Sequence, residues 1–251
     1  ATVSNEEIKT ELALTQQNVH RWGRRNRVSF DEKKEHVAII HPIQGEGETF
    51  RFLGCMIDVK LHMDDAIDHI ITTARPKIKA LLRSRGTYDV KDMLCQFKTH
   101  IWGITEFANG AILHASTSLL NRLDNLQSSF LRDLGISEYQ AFMEFNFVPA
   151  ALRRDIGILG FLHKRALKLC HPGIMQFLPM NNQVSQGHDK QIVFHLEKCI
   201  GRHQLYFRSL FEKILAYNRL PQCIVNASSV KFFQSELTKI ARLRCESQKE
   251  N

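Results

Sequence analysis

The chain has 251 residues, a net charge of +8, 43% hydrophobic residues and 24% charged ones. This is the balance of a globular protein with enough chain for one large domain or two small ones. No apolar run approaches the roughly 18–20 residues of a membrane span, which excludes a transmembrane reading, and the basic charge favours polyanionic partners. The six cysteines (55, 95, 170, 199, 223 and 245) are widely spaced, with no Cys-x-x-Cys pair. They point to reduced thiols and an intracellular setting, cytoplasmic or nuclear.

The first residues, Ala1-Thr2-Val3-Ser4-Asn5-Glu6-Glu7, have neither a basic start nor an apolar core, and no initiator methionine. We expect a fragment without a signal peptide. From Glu6 to Arg25, Ile8, Leu12, Val19 and Trp22 recur at helical spacing. Asn5 is placed to cap this helix, and Gly23 and Asn26 stand where it ends. Strands are expected at Arg27–Phe30 and His36–His41, then a turn over Pro42–Glu48 and a returning strand over Thr49–Asp58. No helix follows Gly45-Glu46-Gly47, so these glycines read as a turn and not a phosphate cradle.

Beyond Asp58 the period becomes helical. Asp64–Arg85 carries Ile67, Ile70, Ile71, Ala74, Ile78, Leu81 and Leu82 on one face, with Pro76 set to kink it. A long second helix is expected from Val90 to about Ser116. A third, through Leu119, Leu123, Leu126, Phe130 and Leu134, ends at Gly135 in the left-handed conformation. Ser137 to Gln140 fits a capping box opening a fourth, and Pro149 begins a fifth that runs to about Leu169. Residues 171–190 read as a linker or exposed loop, and two amphipathic helices near 203–217 and 228–245 follow. The expected class is α+β, mostly α, with a small antiparallel sheet or hairpin followed by a helical array.

Between Arg75 and Arg85 stand five Lys or Arg residues and no acid. Arg75, Lys79 and Arg83, at i, i+4 and i+8, form a stripe turned about a third of a circle from the apolar face. Such a stripe either tracks phosphates or is solvated surface. Arg153, Arg154, Lys164, Arg165 and Lys168 make a second basic cluster, facing the single acid Asp155, and Arg154 and Asp155 are alternatively structural pairs. Phe97 and Trp102 are possible stacking platforms, but their place in the apolar period assigns them to the core.

His62-Met63-Asp64-Asp65 has the look of a metal-binding carboxylate pair. Its flanks are not the apolar strands of a tight hairpin, so Asp64 and Asp65 read as an N-cap and a first-turn acid. His195, Cys199 and His203 lie at i, i+4 and i+8, but zinc takes a fourth ligand and Cys223 is the only candidate, so no metal site is expected. No Ser/His/Asp set, nucleophile elbow or P-loop is present.

One resemblance joins these pieces. The chain reads Trp22-Gly23-x-x-Asn26-x-Val28-x-Phe30-Asp31, then Lys34-Glu35, then Phe50-x-Phe52-Leu53-Gly54-x-x-Ile57-Asp58. Leu81-Leu82-Arg83 follows, then Leu123-Asp124-x-Leu126-Gln127-x-x-Phe130-Leu131-Arg132-x-Leu134-Gly135, then Arg153-Arg154-Asp155-Ile156-x-x-Leu159-Gly160. In order and spacing this resembles the region after the active site in reverse transcriptases of non-LTR retrotransposons, particularly the jockey-like elements. It covers about residues 5–170. The resemblance implies that residues 1–60 end a polymerase palm, 61–135 form a helical thumb and 136–170 a helical extension. Residues 171–190 would then be a linker, and 191–251 C-terminal helices of unread role.

The family's Tyr-x-Asp-Asp motif is not in this sequence, so the chain alone is expected to be inactive. The Mg2+ expected for the intact polymerase would be held elsewhere, with no cofactor in this chain. By the same resemblance Lys34 would protonate the leaving pyrophosphate, with Lys33 leaving the register open by one. Phe52, Leu53 and Gly54 would form the primer grip, Gly54 serving either close passage of backbone to a primer or a bulge. Arg75, Lys79, Arg83, Arg153 and Arg154 would contact nucleic acid. The implied partners are an RNA/DNA primer–template duplex and the rest of the palm and fingers. The alternative is a decayed or truncated element remnant, at most a basic helical nucleic-acid-binding or interaction module.

Overall fold

The computed structural model describes residues 4–181, 187–193 and 208–247. Among these the chain is mostly helical, with twelve helices and one two-stranded antiparallel hairpin, which is the expected α+β, mostly α class. It forms two compact units, Ala1–Ala66 and Ile67–Asn251.

In the first unit, α1 (Asn5–Arg25) opens on a capping box one residue earlier than expected. The Ser4 N–H donates to Glu7 Oε2 at 2.8 Å and the Glu7 N–H to Ser4 Oγ at 3.3 Å, so two orphan donors of the first turn are satisfied reciprocally. Asn5 instead sends its amide to the carbonyl of Gln44 at 3.1 Å. The helix ends at Asn26, as its sequence requires.

The strands expected at Arg27–Phe30 and His36–His41 do not form. The Val28 N–H is taken by the Gly23 carbonyl at 2.9 Å, folding the first segment back on the end of α1. In the second segment the donors are divided: Ile39 makes an isolated bridge with Glu46, and the His41 N–H bonds the Val59 carbonyl at 2.9 Å. A ladder needs one continuous partner, and this stretch has two.

Thr49–Asp58 is a hairpin and not a single strand. β1 (Phe50–Phe52) pairs with β2 (Cys55–Ile57), Phe52 opposite Cys55, leaving Leu53 and Gly54 as a two-residue turn. Both have positive φ, 46° and 88°, as a type I′ turn demands. Gly45 has a separate reason to be glycine. A Cβ there would sit 2.2 Å from the Val59 carbonyl oxygen and 2.7 Å from that of His41. The Gly-x-Gly is thus a packed turn.

Asp58 closes this unit by accepting the Lys60 N–H at 2.9 Å and the Met63 N–H at 2.5 Å, which shapes the lead into α2 (Asp64–Leu82). That helix continues through Pro76 and buries the expected stripe of Ile67, Ile70, Ile71, Ala74 and Ile78.

The long helix expected from Val90 is broken into α3 (Val90–His100), α4 (Trp102–Glu106) and α5 (Asn109–Ile112). Gly103, Asn109 and Gly110 are poor helix formers. The breaks let Phe97, Ile101, Ala108 and Ile112 all reach the core. Next come α6 (Thr117–Asp133), capped by Ser116, and Gly135 at φ +73°. The Gly135 N–H donates to the Arg132 carbonyl at 3.0 Å and the Ile136 N–H to that of Leu131 at 3.1 Å, a complete Schellman stop.

Ser137 caps α7 (Glu138–Phe145) through the Gln140 N–H, while the Gln140 side chain turns to Glu144. α8 (Ala150–Ala166) follows Pro149 and stops three residues short of Leu169. Against α8 pack Leu210–Asn218, Gln222–Val225 and Val230–Ser247, around Leu162, Ile192, Ile214, Tyr217 and Phe233. Within 171–190, Pro172–Phe177 is a short helix, and Leu178 and His188 are buried.

Candidate nucleic-acid interface

The apolar stripe of α2 leaves Arg75 and Lys79 on the adjoining exposed face, one helical turn apart. Beside them runs α6, whose Arg122, Asn125, Leu126, Ser129, Phe130 and Asp133 share one face. The two helices enclose a groove of about 220 Å³ lined by Arg75, Lys79 and Arg122, with Ile78 and Leu82 completing the α2 wall. Neither Arg75 nor Lys79 is ion-paired to a described residue. Arg122 is bonded to Asp68 in a pair about half exposed at each end, 50% and 52%. Arg83, third in the stripe, is the first residue beyond α2, exposed and outside the groove lining.

Reading the sequence missed Arg122. The other basic residue of its helix, Arg132, is ten positions away, and Arg122 itself stands beside Asp124 with no local pattern. Only the pairing of α6 with α2 sets it against the stripe.

Arg153 and Arg154 lie elsewhere and are engaged within the protein. Arg154 is buried, and its guanidinium meets Asp124 through two bonds, Nη1 to Oδ1 at 2.9 Å and Nη2 to Oδ2 at 2.8 Å. Arg153 makes two bonds to Glu106, both 2.5 Å, and its guanidinium carbon sits 3.1 Å from the centroid of the Trp102 ring. Asp155 pairs with Lys213 at 2.8 Å, so the structural pairing weighed for Arg154 is real but with a different acid.

Of the aromatic residues, Phe97 is fully buried against Phe130 and Phe147. Trp102 stacks on Phe147 and donates to Gln127 Oε1 at 3.3 Å. Lys98 reaches the Phe145 carbonyl at 3.1 Å beside these rings, and burial pulls its ammonium below the usual lysine range. These groups tie α3 and α4 to α6 and to the end of α7 instead of offering a platform to bases.

In the first unit the hairpin tip is exposed, Phe52 at 60% and Leu53 at 81%. Leu53 holds its positive φ there, a conformation worth about 1–2 kcal/mol of strain for a residue with a Cβ. Lys34 ends a 3-10 turn (Glu32–Lys34), with its ammonium 3.5 Å from Asp31 and the side chain in solvent. It stands on no strand edge. The hairpin and the groove belong to different units.

Asp64 and Asp65 both fall in the first turn of α2, so Asp64 lies inside the helix and not at its cap. Asp65 accepts from the Thr49 hydroxyl at 2.9 Å. Among the described residues no group of three or more His, Cys, Asp or Glu side chains is placed to hold a metal ion. His195, Cys199 and His203 lie outside the described residues. Five of the cysteines (55, 95, 170, 223 and 245) are free thiols, Cys55 buried and its thiol pushed up by that burial. No helix among the described residues is long and apolar enough to cross a membrane. No protein-family model matches the chain, and neither a characterised protein nor a solved structure matches it.

Proposed function

We propose that this chain is part of an RNA-directed DNA polymerase of the jockey-like non-LTR retrotransposon type, and that it grips the primer–template duplex without performing chemistry itself. The observation that carries the reading is the groove between α2 and α6, in which Arg75 and Lys79 are exposed with no ion-pair partner among the described residues and Arg122 joins them from a second helix. Cations held on rigid helices contact a phosphate backbone without reading its sequence, as a polymerase must.

Phe52, Leu53 and Gly54 supply the second contact, an exposed apolar tip on a tight turn, suited to lie against a primer end. Lys34 is free to reach a pyrophosphate, since its surface pair with Asp31 is worth little. Arg153 and Arg154 are left out of the interface. The described residues offer no donor set that fits Mg2+. The remaining palm and fingers would bring the carboxylates.

A second reading is a basic helical nucleic-acid-binding module with no polymerase partner. It is favoured by one observation: the groove is built wholly from residues after Ile67 and needs nothing from the hairpin unit.

Titrating the chain with an RNA–DNA hybrid duplex at several salt concentrations tests the first part. Affinity should fall steeply with salt, each phosphate contact contributing a slope of about −0.9, and reversing Arg75, Lys79 and Arg83 to Glu should weaken binding about a hundredfold or more. Salt-independent binding that ignores the reversals would remove both readings. Translation of the genomic DNA upstream of Ala1 separates them. A Tyr-x-Asp-Asp within about thirty codons, by the motif logic of palm carboxylates, supports the polymerase. Stop codons support the module.

A further inference from the structure

We propose that the α2–α6 groove is a cradle for a single phosphate group, held by Arg75, Lys79 and Arg122, with Asp68 as a latch that parks Arg122 when the groove is empty. The nucleic-acid reading supplies the source of the phosphate, and the proposal deepens that reading to one site.

Four features of the groove argue for a built anion site over a merely basic surface. Its cations come from two helices, so they converge on a volume instead of fanning out along one face. That volume, about 220 Å³, is roughly seven waters' worth, room for a phosphate and the ester oxygens that continue from it. Its floor is apolar. Ile78 is buried and Phe130 is fully buried, and a low-dielectric wall behind the cations strengthens their hold on an anion. Neutral donors complete the set. Asn125 lines the groove, and the Ser129 hydroxyl accepts a bond from Arg132 at 3.2 Å, which leaves its own proton to point elsewhere.

The acids at the site set its capacity. Asp133 lies eleven residues beyond Arg122 on the same face of α6, about 16 Å along the axis. A carboxylate at that end repels a second phosphate and directs the first toward the Arg122 end. Asp68 holds Arg122 in a half-exposed pair. Such an exposed pair adds little stability, whereas a guanidinium on phosphate makes a charge-assisted, two-pronged contact. Exchange of Asp68 for phosphate is therefore downhill, and the latch keeps a long side chain ordered near its target in the meantime.

The experiment follows arginine side-chain N–H signals of the whole chain by NMR during titration with inorganic phosphate, and in parallel with the RNA–DNA hybrid duplex. Phosphate should move the Arg75 and Arg122 signals. Arg122→Gln should weaken both ligands about tenfold and lower the duplex salt slope by about one. Asp68→Asn should tighten both by about threefold, because Arg122 no longer has a competitor. Both side chains are half exposed, so neither change threatens the fold, and circular dichroism checks this. If phosphate binds with these effects and the duplex does not bind, the cradle stands and the nucleic-acid reading falls. If the duplex binds but neither substitution changes it and phosphate moves neither arginine, the cradle falls and that reading stands.

Discussion

Arg154 of α8 lies against Asp124 of α6 with two parallel hydrogen bonds of 2.9 and 2.8 Å, and the two side chains are only 8% and 19% exposed. A planar guanidinium facing a carboxylate across two helices fixes their separation and roll at once. It also explains why an arginine that reads as a phosphate contact is withheld from solvent. Breaking such a pair from one side leaves a charge inside the protein with nothing to answer it.

Asp124→Ala should therefore destabilise the second unit by about 3–5 kcal/mol. Urea unfolding at pH 7 measures this. Replacing both partners, Arg154→Met with Asp124→Leu, should recover most of the loss, since no buried charge then remains. If the single substitution is harmless, Arg154 does not depend on Asp124.

The hairpin tip offers a trade between stability and binding. Leu53→Asn makes an Asn-Gly turn, which suits the positive φ of both positions. Stability of the hairpin should rise by about 1 kcal/mol, seen as slower amide exchange across β1 and β2. Duplex affinity should fall, because the exposed leucine is lost. A leucine that strains its turn for no binding benefit would leave affinity unchanged.

Acid should loosen the C-terminal core. The Ala227 carbonyl can only accept, so His163 Nε2 carries the proton in their 2.9 Å bond, and Nδ1 receives the Tyr217 hydroxyl at 3.1 Å. The ring is fully buried, stacked 4.1 Å from Phe233. Burial holds its pKa below the ordinary 6.5, opposed by the Ala227 bond and helped by Lys190 and His188. Below pH 6.5 the unfolded chain takes a proton that the folded chain refuses. The stabilisation is thus complete above 6.5 and is lost as pH falls toward the folded value. Thermal midpoints should drop between pH 7 and pH 5, and His163→Phe should flatten that slope even though it lowers the midpoint overall. Equal slopes for both proteins would place the acid sensitivity elsewhere.

Gly45→Ala should cost about 1–3 kcal/mol, since its methyl would overlap two backbone carbonyls that cannot swing away as a side chain would. The His41 amide, bonded to Val59, should lose protection from hydrogen exchange first. Retained protection would mean that the turn relaxes freely.

What the sequence carried, it carried locally. Apolar spacing located α2, α6 and α8. Ser137 and Gly135 marked a start and a stop, and the i, i+4 placement of Arg75 and Lys79 put both on one exposed face. These depend on neighbours within a turn or two, and a linear reading sees them. Tertiary structure decided the rest. It divided the donors of 36–41 between two partners and so denied a strand, and it broke the helix after His100 so that Ile101, Ala108 and Ile112 could join Phe97 in the core. It consumed Arg154 with an acid thirty residues away while bringing Arg122 to the groove. Whether a guanidinium is free for a phosphate depends on which carboxylate a distant helix sets beside it, and that distance in sequence has no period to read.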